Sequence, residues 1–189
     1  MTDDSSLLQA NARLLRSVLF VPGDKPRALD KAQGLGADAL IIDLEDAVAT
    51  ERKAEARRNA LDAVTRFRSH HLFTVLRIAE PGSPDLSADM MIAAQSRPDA
   101  VLVAKLEDAE QLSAVRKRLD EAGYDGPVWA MIETPRGVFN VEAIARAAPL
   151  NRLEALVAGA NDLAEGLRLP QGELRRRALE PHLARMVLA

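Results

Sequence analysis

The strongest constraint on this chain lies at residues 40–48, where a short apolar run ends in three acids. Residues 40–42 are apolar and mostly β-branched, which is typical of a strand covered on both faces. Asp43, Glu45 and Asp46 follow directly, and strand alternation makes Asp43 and Glu45 point the same way. Acids at the end of a buried strand are typical of a site at the carboxyl edge of a parallel sheet. The alternative is that they only solvate the strand end or cap the next helix.

Composition narrows the class of protein. The chain has 189 residues, of which 48% are hydrophobic, and this suits one domain with a sizeable core. The net charge of −3 gives no electrostatic reason to bind nucleic acid or an anionic membrane, and the absence of cysteine excludes thiolate chemistry. No apolar stretch approaches the roughly 20 residues that span a bilayer, and the polar start does not resemble a signal peptide. We therefore expect a cytoplasmic protein with neither a membrane nor a nucleic-acid partner.

After a flexible lead-in over residues 1–15, strand patterns alternate with helix patterns. The predicted strands are residues 17–21, 40–42, 72–78, 100–103, 128–132 and 156–158. The predicted helices are residues 25–33, 50–66 with Thr50 as N-cap, 86–95, 108–122, 137–147 and 172–188. Such repeated units imply parallel strands joined by right-handed crossovers. The pattern fits an open doubly wound sheet, or a (β/α)8 barrel without its last two units.

Charged side chains recur where these predicted strands end. They are Asp43 and Glu45, Arg77, Lys105, Glu133 and Asp162. Glu133 and Asp162 follow neighbouring strands, and two converging carboxylates suit Mg²⁺, although each acid could instead cap a helix. Arg77 could pair with Asp43 or Glu45, and a guanidinium oriented in this way is suited to bidentate binding of a carboxylate.

Five segments of the chain carry a family resemblance. They are residues 16–23 (RSVLFVPG), 43–48 (DLEDAV), 76–78 (LRI), 132–134 (IET) and 159–163 (GANDL). In this order and spacing they resemble the citrate lyase β-subunit-like branch of the HpcH/HpaI aldolase family, which includes malyl-CoA and citramalyl-CoA lyases. The chain departs from the family pattern at Ala79 and Ala104, where Asn and Pro are usual.

The resemblance implies an α/β fold of the TIM-type (β/α)8 barrel class. We expect residues 16–189 to form the barrel domain, truncated after about six β/α units with its C-terminal part missing. The resemblance also implies Mg²⁺-dependent cleavage of a carbon–carbon bond in 3-hydroxyacyl thioesters such as citramalyl-, malyl- or citryl-CoA. The products would be an acyl thioester and a 2-oxo acid.

The resemblance also assigns roles to residues of this chain. The expected metal ligands are Glu133 and Asp162, the expected catalytic residues are Arg77, Glu133, Asp43 and Glu45, and the expected substrate-binding residues are Arg77, Glu133, Arg16 and Lys105. The expected partners are a thioester of CoA or acyl carrier protein and further copies of the chain in a homo-oligomer. Two alternatives remain open: a non-catalytic metal-binding or subunit-interaction module, and a class II aldolase of the pyruvate type.

Overall fold

The computed structural model describes residues 14–189, which form a six-stranded parallel sheet with helices on its outer face. The strands are β1 (Val18–Pro22), β2 (Ala39–Asp43), β3 (Phe73–Ile78), β4 (Ala100–Val103), β5 (Val128–Ile132) and β6 (Leu153–Ala158). Most of the predicted lead-in, residues 1–15, lies outside the described residues. The assignment of residues 16–189 to a single barrel domain stays a prediction.

Eight α-helices and one 3₁₀ turn connect or follow the strands in the described part of the chain. The helices are α1 (Pro26–Ala32), α2 (Lys53–Ser69), α3 (Leu86–Ser96), α4 (Ala109–Ala122), α5 (Pro135–Arg146), α6 (Ala148–Asn151), α7 (Ala160–Gly166) and α8 (Glu173–Leu188). The 3₁₀ turn, Thr50–Arg52, leads directly into α2. None of these helices is long and apolar enough to cross a membrane.

The order of the strands separates the two architectures that the repeat pattern left open. Each strand pairs with the next along the chain, in the order β1-β2-β3-β4-β5-β6, and every pairing is parallel. A doubly wound sheet reverses its order at a switch point, whereas a barrel adds strands in sequence. The topology is therefore that of the TIM-type class predicted from the resemblance.

The two faces of the sheet bury different cores. One face, with Leu40, Ile42, Val101 and Ile132 among its residues, joins the apolar sides of the helices in the larger core. The opposite, inner face carries a smaller core of Ile41, Val75, Ala100, Leu102, Trp129 and Met131. Every residue of β2, β4 and β5 is buried, as expected of parallel strands covered on both faces.

The edge strands of the described sheet are more open than its centre. On β1, Val18 is 40% exposed and Phe20 is 39% exposed, while no residue of β6 reaches the buried class. The inner side chains of these two strands therefore have solvent on one side.

The structure corrects several local predictions. Thr50 is not a helix N-cap: Ala49 and Arg52 precede the 3₁₀ turn and α2, and neither helix start has a side-chain cap. Proline usually interrupts a helix, but α8 continues through Pro181. The short helices α6 and α7 were not predicted, because four- and seven-residue segments carry too little periodicity to be recognised.

Candidate active site at the carboxyl ends of the strands

Strand alternation brings three of the predicted residues to the inner face. Asp43, Arg77 and Glu133 each follow an inner-core residue of their own strand by two positions, namely Ile41, Val75 and Met131. Asp43 also lies directly opposite Arg77 in the register of β2 and β3. All three side chains are at least nine-tenths buried at the carboxyl edge of the sheet.

Arg77 is held by Asp43 in a two-pronged ion pair. Its Nε donates to Asp43 Oδ1 at 2.7 Å, its Nη2 donates to Oδ2, and its Nη1 lies 3.4 Å from Glu45 Oε2. Asp43 in turn accepts the N–H groups of Glu45 and Ala47, which fixes the carboxylate. Burial alone would lower the pKa of Arg77, but Asp43 and the other nearby acids raise it, so the guanidinium stays charged.

Two apolar side chains flank the same guanidinium. The ring of Phe20 lies 5.4 Å from the Arg77 guanidinium carbon, and Nη1 lies 3.5 Å from the sulfur of Met131. The ring covers one face of the guanidinium, as in a cation–π pair. Arg77 is thus fixed in its plane by Asp43 and covered on one side by Phe20.

Lys105 links three strand ends. Its backbone N–H donates to Glu133 Oε1 at 2.9 Å, and its Nζ donates to Glu45 Oε1 at 2.7 Å and to Asp46 Oδ2 at 2.9 Å. Burial opposes the charge of Lys105, but Glu45 and Asp46 raise its pKa above the usual value. Burial likewise raises the pKa of Glu45, while the hydrogen bond from Lys105 holds the pKa of Asp46 low despite burial.

Glu133 is a buried carboxylate with an unfavourable charge. Burial, and then the charge of Asp162, raise the pKa of Glu133 to about 7, against the opposing hydrogen bond from the Lys105 N–H. A Cβ on Gly159 would lie 2.3 Å from the Cβ of Glu133 and 2.4 Å from its Oε2. The absence of a side chain at Gly159 is therefore what gives the Glu133 side chain its space.

Asp162 lines the same cleft as Glu133, but it lies on a helix. It lies in the first turn of α7, four residues after the end of β6, rather than on the strand itself. Burial, and then the charge of Asp46, raise its pKa as well. Asp162 and Glu133 are thus two carboxylates whose charged forms the fold disfavours, an arrangement that a cation between them would relieve.

These residues surround one open cleft with a volume of about 460 Å³. Its polar lining includes Asp43, Asp46, Arg77, Glu133 and Asp162, and its apolar lining includes Phe20 and Met131. Among residues 14–189, no three acidic, histidine or cysteine side chains are grouped so that they could hold a metal ion. Any metal here would rest on the Glu133–Asp162 pair, with oxygen donors of the kind that Mg²⁺ prefers.

The structure does not bring Arg16 to this cleft. Arg16 precedes β1 at the amino ends of the strands, where its Nη2 donates to Asp38 Oδ1 at 3.0 Å. The Arg16 side chain is 86% exposed. The other predicted site residues, Asp43, Glu45, Arg77, Lys105, Glu133 and Asp162, all lie in the carboxyl-edge cluster.

Sequence reasoning missed three residues of the cluster. Asp46 was grouped with the strand-end acids but was given no role, and neither Phe20 nor Met131 was placed in the cleft. Phe20 lies two positions after Val18 on β1, and Met131 lies two positions before Glu133 on β5. The period of two that places Glu133 on the inner face could have identified both.

Known proteins share the sequence of this chain. The chain matches the HpcH/HpaI aldolase/citrate lyase family over residues 16–179. It is 43% identical to a (3S)-malyl-CoA thioesterase of Cereibacter sphaeroides over 156 residues, covering 82% of this chain and 52% of that protein. An L-malyl-CoA/beta-methylmalyl-CoA lyase of the same species is 32% identical, covering 82% of this chain and 51% of that protein.

A solved structure shares the fold. The protein CitE from Mycobacterium tuberculosis, in complex with magnesium and pyruvate, superposes with a TM-score of 0.75 at 28% identity. The match covers 94% of this chain and 70% of that one. The chain spans about half the length of the curated relatives that it matches. On its sequence and its fold, the chain belongs to the HpcH/HpaI aldolase/citrate lyase family.

Proposed function

We propose that this chain carries the carboxylate-binding and metal-binding residues of an Mg²⁺-dependent enzyme that cleaves malyl-type CoA thioesters between two carbons. The observation that carries the proposal is the Arg77 guanidinium, fixed by Asp43 and facing a cleft that also contains Glu133 and Asp162. The cleft has a cation for a substrate oxygen on one side and paired acids for a metal on the other. The relatives named for malyl-CoA chemistry support the thioester as substrate.

The residues present fit Mg²⁺. The donors are carboxylate oxygens, two in number, and Mg²⁺ is typically held by one or two carboxylates together with substrate oxygens and water. Burial is the main cause of the raised pKa values of Glu133 and Asp162, and a divalent cation bound between them would favour their charged forms. The CitE structure with magnesium and pyruvate supports this choice of metal and a 2-oxo acid as its companion.

Each residue then has a defined task. When bound, the metal supplies Lewis-acid polarisation of the oxo or hydroxy oxygen of the 2-oxo acid portion. Arg77 offers the remaining donor capacity of its guanidinium to the oxygen on which negative charge develops as the carbon–carbon bond breaks. Asp43 keeps that guanidinium in place, and Phe20 and Met131 keep bulk water from one side of it.

Hydrolysis of the thioester is a second candidate, because a relative at 43% identity is named a malyl-CoA thioesterase. In hydrolysis water attacks the thioester carbonyl, and the products are free CoA thiol and a hydroxy acid. In lyase cleavage the thioester stays intact, and the products are a shorter acyl-CoA and a 2-oxo acid.

A single incubation separates these functions. The chain would be mixed with Mg²⁺ and malyl-, citramalyl- or citryl-CoA, and free thiol and 2-oxo acid would be measured in parallel. We expect 2-oxo acid without free thiol, and none of it when Mg²⁺ is chelated. Free thiol without 2-oxo acid would establish the thioesterase instead. If neither product forms, the non-catalytic module is the remaining alternative. The same mixture with a free aldehyde and pyruvate tests the class II aldolase alternative.

A further inference from the structure

The backbone of Lys105 has a conformation that is rare for its residue type. Its φ is +48°, in the left-handed region that favours glycine, and it lies two residues after the end of β4. Residues held in this region tend to cluster at functional sites, where surrounding structure maintains them. At Lys105 the local consequence is visible: the N–H is directed at Glu133 Oε1, and the next residue, Leu106, donates to the Met131 carbonyl.

The side chain of Lys105 is committed to two acids. Its Nζ donates to Glu45 Oε1 and to both carboxylate oxygens of Asp46, at 2.7, 3.0 and 2.9 Å. An ammonium has three hydrogens, so these bonds use its full donor capacity. The side chain is only 24% exposed. Lys105 therefore has little capacity left for direct binding of a substrate.

Glu45 and Asp46, the acids that Lys105 binds, lie beside the expected metal ligands Glu133 and Asp162. Asp46 lines the cleft together with Glu133 and Asp162, and it lines a second opening together with Lys105, Glu133 and Asp162. Glu45 precedes Asp46 in the chain and accepts a hydrogen bond from the same Lys105 ammonium. Without Lys105, Glu45 and Asp46 would lose the ammonium that holds them and would be free to turn toward a cation at Glu133 and Asp162. Mg²⁺ surrounded by so many protein oxygens would have fewer positions for substrate oxygens.

We infer that Lys105 is a positioning residue that holds Glu45 and Asp46 away from the metal and so keeps metal positions open for the 2-oxo acid. The inference rests on the proposed function, because it takes Glu133 and Asp162 as the metal ligands. It assigns Lys105 to the organisation of the carboxylates rather than to contact with the substrate. Its consequence is unusual: loss of Lys105 strengthens the binding of Mg²⁺ and weakens the cooperation between Mg²⁺ and oxo acid.

Calorimetric titration of the full chain with Mg²⁺ alone tests the first consequence. Lys105→Met removes a positive charge from the cluster around Glu133 and Asp162, and we expect Mg²⁺ to bind roughly three- to tenfold more tightly. Lys105→Gly should do the same, and glycine adopts the positive φ freely, so this variant keeps its backbone N–H aimed at Glu133. Lys105→Arg keeps the charge and should retain the affinity of the wild type.

Two further variants give matched controls. Lys117→Met removes the same charge from an exposed lysine of α4 that pairs with Glu121, and should leave the affinity unchanged. Adding Asp46→Asn to Lys105→Met removes the acid that was released, and should return the affinity toward that of the wild type. A general loss of structure would weaken binding of Mg²⁺ in every Lys105 variant and would not be reversed by Asp46→Asn.

A titration with Mg²⁺ in the presence of saturating pyruvate tests the second consequence. In the wild type, pyruvate should tighten binding of Mg²⁺, and by linkage Mg²⁺ should tighten binding of pyruvate by the same factor. In Lys105→Met and Lys105→Gly this mutual factor should fall toward one. Unchanged or weaker binding of Mg²⁺ in both variants, with the factor intact, would overturn the role of Lys105. A wild-type chain that binds no Mg²⁺ would instead overturn the proposed function on which that role rests.

Discussion

The inner face of the sheet has two ends built from the same strands but with opposite chemistry. At the carboxyl end, β2, β3 and β5 end in Asp43, Arg77 and Glu133, which form buried charged contacts around an open cleft. At the amino end, the ring of Phe73 stacks on Trp129 at 5.8 Å, and Trp129 Nε1 donates to Glu154 at 2.9 Å.

The two ends of the inner face differ in what their buried side chains contribute to stability. The amino end buries apolar and aromatic surface and pairs its polar atoms within the chain, which stabilises the fold. At the carboxyl end, burial first and neighbouring acids second raise the pKa values of Glu133 and Asp162, so keeping these two carboxylates charged costs stability. Substitutions at the carboxyl end should therefore change activity, and substitutions at the amino end should change stability.

The largest effect is expected from Arg77→Lys. A lysine keeps the charge but has no planar fork to bind Asp43 at two points while presenting a further donor to the cleft. We expect turnover of malyl-CoA to fall by about 10²–10³-fold, as when one donor that stabilises a developing oxyanion is lost. Binding of Mg²⁺, measured by calorimetry, should change little.

The control for this change is Arg66→Lys on α2. Arg66 is also an arginine beside a ring, that of Phe67, and it pairs with Asp30 at 2.9 Å; none of these residues lines the cleft. Its variant should keep wild-type turnover. Near-normal kinetics in Arg77→Lys would show that the guanidinium does not act on the substrate.

The next largest effect is expected from removing the charge of Glu133 or of Asp162, the two proposed metal ligands. Glu133→Gln and Asp162→Asn keep side-chain size but remove the anionic oxygens that Mg²⁺ requires. Each should weaken binding of Mg²⁺ by more than about tenfold, the lower end of what loss of even an indirect metal contact costs. The unfolding temperature should stay the same or rise, because a crowded buried charge has been removed. Unchanged affinity in both variants would refute this pair as ligands.

A smaller effect, of a different kind, is expected at the amino end. Trp129→Phe keeps an aromatic ring against Phe73 but leaves Glu154 without its indole donor. We expect the free energy of unfolding to fall by about 1–2 kcal/mol, the scale of one lost hydrogen bond with some lost packing. Turnover should be unchanged. Urea unfolding followed by circular dichroism is suitable, since Trp129 is the only tryptophan and its fluorescence disappears with it. A loss of turnover without a loss of stability would contradict the division between the two ends.

Sequence patterns were sufficient for the carboxyl end of the strands and for most of the fold. The bounds predicted for β4 and β5 agree with the structure. The sequence also left Arg77 a choice of Asp43 or Glu45 as its partner, and in the structure Arg77 pairs with Asp43 and lies near Glu45. The resemblance then supplied the barrel topology, which the repeat pattern alone left open between two architectures.

Other features depended on long-range structure. Asp162 was expected at a strand end, but Gly159 begins a short helix that carries it into the cleft. The positive φ of Lys105 accompanies a hydrogen bond to Glu133, which follows β5, and no local signal in a lysine indicates such a conformation. Arg16 belonged to a recognisable motif, yet a motif does not specify at which end of a strand each of its residues lies.

The smallest expected effect concerns Asp38 at the amino end, and it depends on pH. Hydrogen bonds from Arg16 and from the backbone of Ser17 lower the pKa of Asp38 well below the usual aspartate range. A carboxylate whose pKa is lowered by folding contributes stability above its unfolded pKa, and that contribution declines as the pH falls toward the folded value. Asp38→Asn should therefore destabilise the chain slightly near pH 7, and the difference from the wild type should shrink by about pH 3. Urea unfolding at both pH values measures it, with Asp30→Asn, another aspartate paired with an arginine, as the matched control. A difference that is constant between the two pH values, or that grows in acid, would show that the bonds of Asp38 to Arg16 and Ser17 do not stabilise its charged form.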